Sequence, residues 1–454
     1  MSVAKDQIIE IEITDLGDGG EGIGRYEGMT IFVDGGIIGD VVKAKITFLK
    51  KKYAIGKVVG LVTPSPFRIE PACPHFRKCG GCQIMNMEYE KGQLAYKEKV
   101  VKDAMERIGG FKETLILPII GMADPLRYRN KGQYPVAKGK DGLEIGFFEK
   151  GTHKVVDVHD CLLQSEAHVK VNQLIRDYVN EFNISIYDEA TQKGLLRHVM
   201  IRHSAATGDM MVVLVINGSQ LINESVLKSR IRESVPEVKS LIINKNKSYG
   251  NRVLGFHNKV ILGTETIEDQ IGDLKFAISP LSFFQVNPGQ TEALYGKAME
   301  YADLQGDETV FDIYCGIGTI SLFLAQKAKR VIGIEMSEAA VLDAEENAKR
   351  NGFTNCEFHV GLAEEVIPKL YEEGYKADVV LVDPPRKGCE PQVLETMLAM
   401  APKKIVYVSC KPSTMARDLK ILCESGEYEV IKVQPVDQFG MTVHVECVAE
   451  LRRK

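Results

Sequence analysis

Residues 310–325 read VFDIYCGIGTISLFLA. A short apolar run breaks at Gly316 and Gly318, and an apolar segment with helical spacing follows, which is the pattern of a buried strand, a tight turn and a helix. The two glycines let the backbone approach a ligand closely. Working outward, KRVIGIEM (329–336), ADVVLVDPP (377–385) and KKIVYVSC (403–410) repeat the short apolar strand. Segments such as SEAAVLDAEENAKRNG (337–352) separate those strands with helical periodicity. The alternation predicts an α/β unit over residues 276–454, a doubly wound, mainly parallel, Rossmann-like sheet with ligands at the carboxyl ends of its strands.

Upstream the grammar changes. Residues 8–62 carry several short strands divided by glycine turns, which predicts a small OB-like β-barrel over residues 1–62. Between Lys43 and Lys57 the chain has Lys43, Lys45, Lys50, Lys51, Lys52 and Lys57 with no acid, and Phe48 and Tyr53 stand among them. That mixture suits phosphate contact and base stacking, or equally a solvated hairpin. Residues 63–275 read as a central α+β unit. It contains a second acid-free stretch, PLRYRNKGQYPVAKGK, with Arg127, Arg129, Lys131, Lys138 and Lys140.

A chain of 454 residues exceeds what one core usually serves, and 44% hydrophobic with 26% charged residues is enough to fill two or three. No uninterrupted apolar run suggests a membrane span, and the opening MSVAKDQIIEIEITD lacks the apolar core of a secretion signal, so a cytoplasmic location is expected. Ten cysteines in such a chain point to reduced thiols or metal ligands, not a disulfide scaffold. The net charge of -5 disfavours a polyanionic partner only when read globally.

Two details sharpen the ligand site. The short D-x-x-C-G-x-G form and the acid Glu335 at the end of the next strand resemble the S-adenosylmethionine site of Rossmann-like methyltransferases. In VLVDPPRKGC, the prolines after Asp383 stiffen a loop whose carbonyls suit a flat base. Arg386 stands where amino-methylating enzymes carry an aromatic ring.

Cys410 ends a strand and precedes a helix beginning near Pro412, so the helix amino terminus and Lys411 would favour its thiolate. Taken alone, Cys410 could also be an ordinary buried cysteine. An activated thiolate is what carbon methylation of a pyrimidine needs, because carbon 5 of uracil is a poor nucleophile until something adds to carbon 6. A base must then remove the proton on carbon 5, and Glu446 in DQFGMTVHVEC is the candidate, with His444 read two residues earlier on the same strand face.

With these motifs in view, the chain resembles the RNA uracil-5-methyltransferase family over nearly its full length, and specifically its iron-sulfur 23S ribosomal RNA branch. The motifs are Gln285 in SFFQVNPGQ, then DIYCGIGTI, DPPRKG, YVSCKPST and the terminal HVE, in that order. The resemblance implies an N-terminal TRAM domain, S-adenosyl-L-methionine as cofactor, and 5-methyluridine in 23S ribosomal RNA as product. It implies Cys410 as nucleophile and Glu446 as base, with Gln285, Tyr314, Gly316, Glu335 and Asp383 at the cofactor. Thr319 departs from the pattern, since many relatives have asparagine there.

CPHFRKCGGC is a C-x5-C-x2-C run of Cys73, Cys79 and Cys82. Four thiolates can hold zinc or a cubic iron-sulfur cluster, and spacing does not decide between them. The resemblance implies Cys161 as fourth ligand and a [4Fe-4S] cluster in preference to zinc. The expected substrate is a loop or locally opened region of 23S ribosomal RNA, bound without a membrane or an obligate protein partner. The alternatives are the same reaction on transfer RNA and a non-catalytic iron-sulfur RNA-binding assembly factor.

Overall fold

In the first strand, Ile8–Glu12, Ile9 and Ile11 point inward while Ile8, Glu10 and Glu12 face out, the two-residue period of a half-buried strand. The computed structural model describes residues 3–140 and 142–454. Its N-terminal OB-like domain is a six-stranded sheet from Ile8 to Thr63, whose long hairpin pairs Val41–Leu49 with Tyr53–Thr63. Ile11, Ile13, Ile31, Val33, Val42, Ala44 and Ile46 form its core.

The central unit is built on a seven-stranded sheet. An interior strand, Met210–Ile216, reads MMVVLVI and is buried throughout, so alternation is lost where both faces are covered. Helices Ala167–Glu181 and Glu224–Ser234 cover one face. The other face shares a core with the hairpin Ile267–Ile278 and the C-terminal unit, through Met200, Met211, Val213 and Ile242.

The C-terminal unit holds an eight-stranded sheet. Five parallel strands come in the order Cys356–Val360, Arg330–Glu335, Thr309–Ile313, Val379–Val382 and Lys404–Ser409. The antiparallel Glu446–Arg453 and then Tyr428–Val436 follow. The order reverses beside Thr309–Ile313, the place where such sheets open a crevice for ligands. The eighth strand is Leu115–Ile116, from a segment assigned by sequence to the central unit. Helix Ala95–Ala104 comes from the same segment and buries Val101 and Ala104 in the C-terminal core. The α/β, Rossmann-like character expected of this region holds, and no helix among the described residues is long and apolar enough to cross a membrane.

Candidate active site

The glycine turn leaves the strand Thr309–Ile313 through Tyr314, which takes a left-handed φ of 71°, and Gly316 at 56°. The glycines serve different needs. A Cβ on Gly316 would meet nothing within 4 Å, so open space lies in front of it, whereas one on Gly318 would stand 3.1 Å from Ala344 Cβ. Gly316 leaves room for a ligand; Gly318 lets two helices pack. The Gly316 amide donates to Glu335 Oε2 at 3.3 Å and the Ser337 amide to Oε1 at 2.8 Å, so this carboxylate ties two strand ends together beside the open space. Beneath the turn, burial pushes the Asp312 carboxyl up to about 7, although Ser321 donates to it. These features suit a ribose-bearing ligand and fit S-adenosylmethionine. Thr319 hydrogen-bonds Tyr295 at 3.2 Å.

Two strands decide where the thiol and the carboxylate meet. Lys404–Ser409 and Glu446–Arg453 pair antiparallel with Ser409 opposite Cys447, so the next residue outward on each, Cys410 and Glu446, share the carboxyl-end rim of the sheet. Asp383 reaches the same rim after Val379–Val382, its amide bonded to Ile313 O at 3.3 Å. Glu446 is 4% exposed, and burial, with the Asp383 charge adding to it, pushes its carboxyl up to about 8. Asp383 is pushed up to about 6 by burial. The half-buried Cys410 thiol is pushed up to about 11 by burial and then by the Glu446 and Asp383 charges.

Arg386 is the cation that opposes these shifts at both Cys410 and Glu446. The lowering expected from the helix amino terminus and Lys411 does not prevail: the thiol is raised overall, and Arg386 is the charge that acts against the rise. Arg386 projects from a loop tied to the helix Pro412–Cys423: Asp418 accepts from the Cys389 amide at 2.8 Å, Arg417 donates to Lys387 O at 2.9 Å, and Thr414 donates to Arg386 O at 3.3 Å. His444 lies in the loop before the final strand, not on its face, with Nε2 3.5 Å from Arg386 Nη2. Burial and the charge of Arg386 hold His444 below its ordinary value, favouring neutral imidazole.

Sequence reasoning missed the supports of this rim. Asn287 caps the helix Pro288–Ala302 and donates to Gln438 O at 3.2 Å; Gln290 donates to Asp437 O at 3.0 Å; Gln438 donates to Thr291 Oγ1 at 2.7 Å. The NPGQ and DQFG segments thus hold each other, and the only signal in sequence is a concentration of amides in two distant loops. Asp437 also meets Lys97 Nζ at 2.5 Å, both side chains fully buried, and accepts from Tyr89 Oη at 2.7 Å. Gln285 is buried on the same side, its carbonyl bonded to Asn130 Nδ2 at 3.1 Å. A cavity of about 400 Å³ opens at Cys410, Arg386 and His444 and is walled by Tyr96 and Lys99 of the helix Ala95–Ala104 and by Asp15 and Asp18 of the N-terminal domain.

The cysteine run behaves differently. Cys73, Cys79, Cys82 and Cys161 line one cavity of about 300 Å³ with Arg129 and Lys131. Among the described residues, however, no group of three or more His, Cys, Asp or Glu side chains is arranged to hold a metal ion. The expected [4Fe-4S] cluster and its zinc alternative are corrected accordingly. Burial comes first in pushing the Cys79, Cys82 and Cys161 thiols up, and repulsion within the group adds to it, so with no cation bound among them these thiols hold their protons. The second basic stretch is also not a continuous exposed face. Arg127 pairs with Asp160 at 2.5 Å, and Lys131 turns into the cysteine cavity, where burial lowers its ammonium to about 7.

Residues 90–454 match the tRNA (uracil-5-)-methyltransferase family and residues 5–59 match the TRAM domain. The chain belongs to the tRNA (uracil-5-)-methyltransferase family. It is an S-adenosylmethionine-dependent RNA (uracil-5-)-methyltransferase. An "uncharacterized RNA methyltransferase" of Clostridium tetani is 49% identical over 98% of this chain and 96% of its own length, and one of Caldanaerobacter subterraneus is 48% identical over 98% of each. Among solved structures, the Pyrococcus abyssi tRNA (uracil-54, C5)-methyltransferase in complex with S-adenosyl-L-homocysteine is similar with a TM-score of 0.78 and 27% identity, over 98% of this chain and 100% of that one. This likeness overturns the assignment to the 23S ribosomal RNA branch. The N-terminal barrel and the segment that carries the cysteine run both fall within a match to a transfer-RNA enzyme that covers 98% of this chain. A basic barrel reports that RNA is bound, not which RNA.

Proposed function

We propose that this enzyme methylates carbon 5 of a uridine in transfer RNA, with Cys410 as nucleophile and Glu446 as the base that removes the carbon 5 proton, and that it does so in the cytoplasm. The observation that carries the catalytic roles is the meeting, across one strand pair, of a half-buried thiol on an open cavity and a buried carboxyl raised to about 8. The likeness to the Pyrococcus abyssi enzyme supports the transfer-RNA substrate.

The Cys410 proton leaves to solvent through the cavity. The thiolate then bonds to carbon 6 of the uracil, and the electrons of the carbon 5–carbon 6 double bond move to oxygen 4 as an enolate. S-adenosylmethionine, when bound, would supply a methyl group carried on a sulfonium, whose carbon–sulfur bond breaks with its electron pair kept by sulfur, so that neutral S-adenosylhomocysteine is the leaving group. The enolate forms the new carbon–carbon bond at carbon 5, which then bears both methyl and hydrogen. Glu446, as carboxylate, takes that hydrogen as a proton, the electrons of the C–H bond rebuild the double bond, and the Cys410 thiolate is expelled. A carboxyl whose affinity for protons is raised is a stronger base once ionised, which suits a carbon acid. Gly316 and Glu335 would frame the ribose, with Tyr314, Gln285 and Asp383 bordering the same space.

The test is methyl incorporation from labelled S-adenosylmethionine into unmodified bulk transfer RNA and into ribosomal RNA, with nucleoside mass spectrometry. 5-Methyluridine in transfer RNA, lost with Cys410→Ala, is the expected result. Label in ribosomal RNA alone would overturn the substrate, and label retained by the variant would overturn the nucleophile.

A further inference from the structure

Residues 238–264 contain no acid but carry Lys239, Lys245, Lys247, Arg252 and Lys259. They form the edge hairpin of the central sheet, Val238–Lys245 against His257–Gly263, joined by a long loop. The loop displays two large rings to solvent, Tyr249 and, where the chain re-enters the sheet, Phe256, each 72% exposed, and the Arg252 guanidinium lies 4.4 Å from the centre of the Phe256 ring. Exposing two aromatic rings beside a cation forfeits the burial that ordinarily rewards them.

The loop is nevertheless held firmly from below. Buried Asn246 donates to Arg252 O at 2.6 Å and Val253 O at 2.9 Å, and accepts from Ser248 Oγ at 2.6 Å. Buried Asn244 exchanges bonds with the Gly255 carbonyl and amide, and buried Arg197 donates to Asn246 O and Ser248 O. Three buried polar side chains are committed to a loop whose outer surface has no partner among the described residues. Among the described residues Lys245, Lys247 and Arg252 make no ion pair, while Lys259 is taken up by Glu224. Rings with free π-faces, a guanidinium already stacked and unopposed cations together match unpaired nucleotides: bases stack and phosphates are neutralised.

We infer that the loop 247–256 is a second RNA-binding platform, one that stacks unpaired bases of the substrate RNA away from the target uridine. The reading of transfer RNA as substrate enters only in the choice of probe. The placement is fixed by the sheet. Arg202 and His203, which meet Ser282 and Asn130, lie at the end where Met210 pairs with Val238, and the loop leaves the other end, where Ile216 pairs with Lys245. A seven-residue strand separates the two ends by about 20 Å. The platform therefore serves docking of the whole RNA and not the methyl-transfer step.

The full chain has no tryptophan, so Tyr249→Trp introduces a single indole at the platform. Bulk transfer RNA added without S-adenosylmethionine should quench its fluorescence, with a midpoint matching the binding constant and shifting to higher RNA concentration as salt rises. The Tyr249→Ala/Phe256→Ala double variant, checked for unchanged melting temperature, should raise KM for whole transfer RNA by about thirtyfold or more, given ~1–3 kcal/mol for each of two stacked bases, and leave kcat unchanged. On a minimal stem-loop carrying the target uridine, its KM should equal that of the wild type. No quenching on saturation, an unchanged KM for whole transfer RNA, or an equal rise on the stem-loop would each overturn the inference. Wild-type methylation of the same transfer RNA, run alongside, separates failure of the platform from failure of the substrate reading.

Discussion

Two places in this protein gather thiols and charge, and they are built in opposite ways. At the rim of the C-terminal sheet, Cys410, Glu446 and Asp383 come from the ends of three strands whose register places them together, with Arg386 supplying opposing charge. In the cysteine cavity, four thiols come from loops and bring one another together without the geometry of a metal site. A short spacing in sequence proved a weaker guide than a strand register spanning dozens of residues. Loops leave side-chain direction open, whereas adjacent strands fix which residues face each other.

The comparison breaks most sharply at the nucleophile. Cys410→Ala should lower methyl transfer by at least about 10³-fold, the scale expected when a covalent nucleophile is removed, as measured by single-turnover incorporation. Glu446→Gln should cost about 10²–10⁴-fold through loss of the base. If chemistry limits the rate, the wild-type profile should climb as pH rises towards and past about 8, because only ionised Glu446 accepts the proton.

The same carboxyl makes a stability prediction of definite sign. Its folded-state value of about 8 exceeds its ordinary 4.5, so below 4.5 both states are protonated and the shift adds no penalty, and as pH rises to 8 the unfolded chain is increasingly favoured by ionising first. Glu446→Gln removes that penalty. Its melting temperature relative to the wild type should rise between pH 5 and pH 8, and a constant difference across that range would contradict the buried-acid picture.

How much of this was legible in sequence follows from how local each feature is. The strand–glycine–helix at 310–325 and the apolar strands around it depend on neighbouring residues, and the α/β fold was read from them. The meeting of Cys410 with Glu446 depends on the antiparallel register of the last strands; the chemistry of the reaction and the family resemblance both named the pair, but nothing local in the sequence placed the two side by side. The same non-locality hid Asn287, Gln290, Gln438 and the pair Lys97–Asp437, which join segments hundreds of residues apart. His444 was placed on a strand because its flanks alternate, but the chain enters the sheet only at Glu446. The choice of RNA was misread because barrel and cysteines carry no information about the nucleic acid's identity.

That hidden pair tests whether the rim depends on support from outside its own sheet. Lys97→Met would leave Asp437 buried without its cation, which should cost about 3–5 kcal/mol of stability as read by denaturant unfolding. Because Asp437 also anchors the loop that leads into Glu446, turnover at a temperature where the variant stays folded should fall in kcat more than KM rises.

The smallest effect probes the electrostatics of the thiol itself. Arg386 is the neighbour whose charge lowers the proton affinity of Cys410 against two carboxylates, so Arg386→Gln should shrink the thiolate fraction at pH 8 and slow alkylation of Cys410 several-fold. Alkylation of Cys79, Cys82 and Cys161 should not change, since burial and mutual repulsion, not this cation, set their proton affinity, apart from a lesser contribution of Arg129 at Cys82 and Cys161. Mass spectrometry of the alkylated peptides reads all four rates in one experiment. A uniform slowing would mean that Arg386 acts by holding the whole structure, and a change at Cys410 alone would show that the rim is tuned by a charge the cavity lacks.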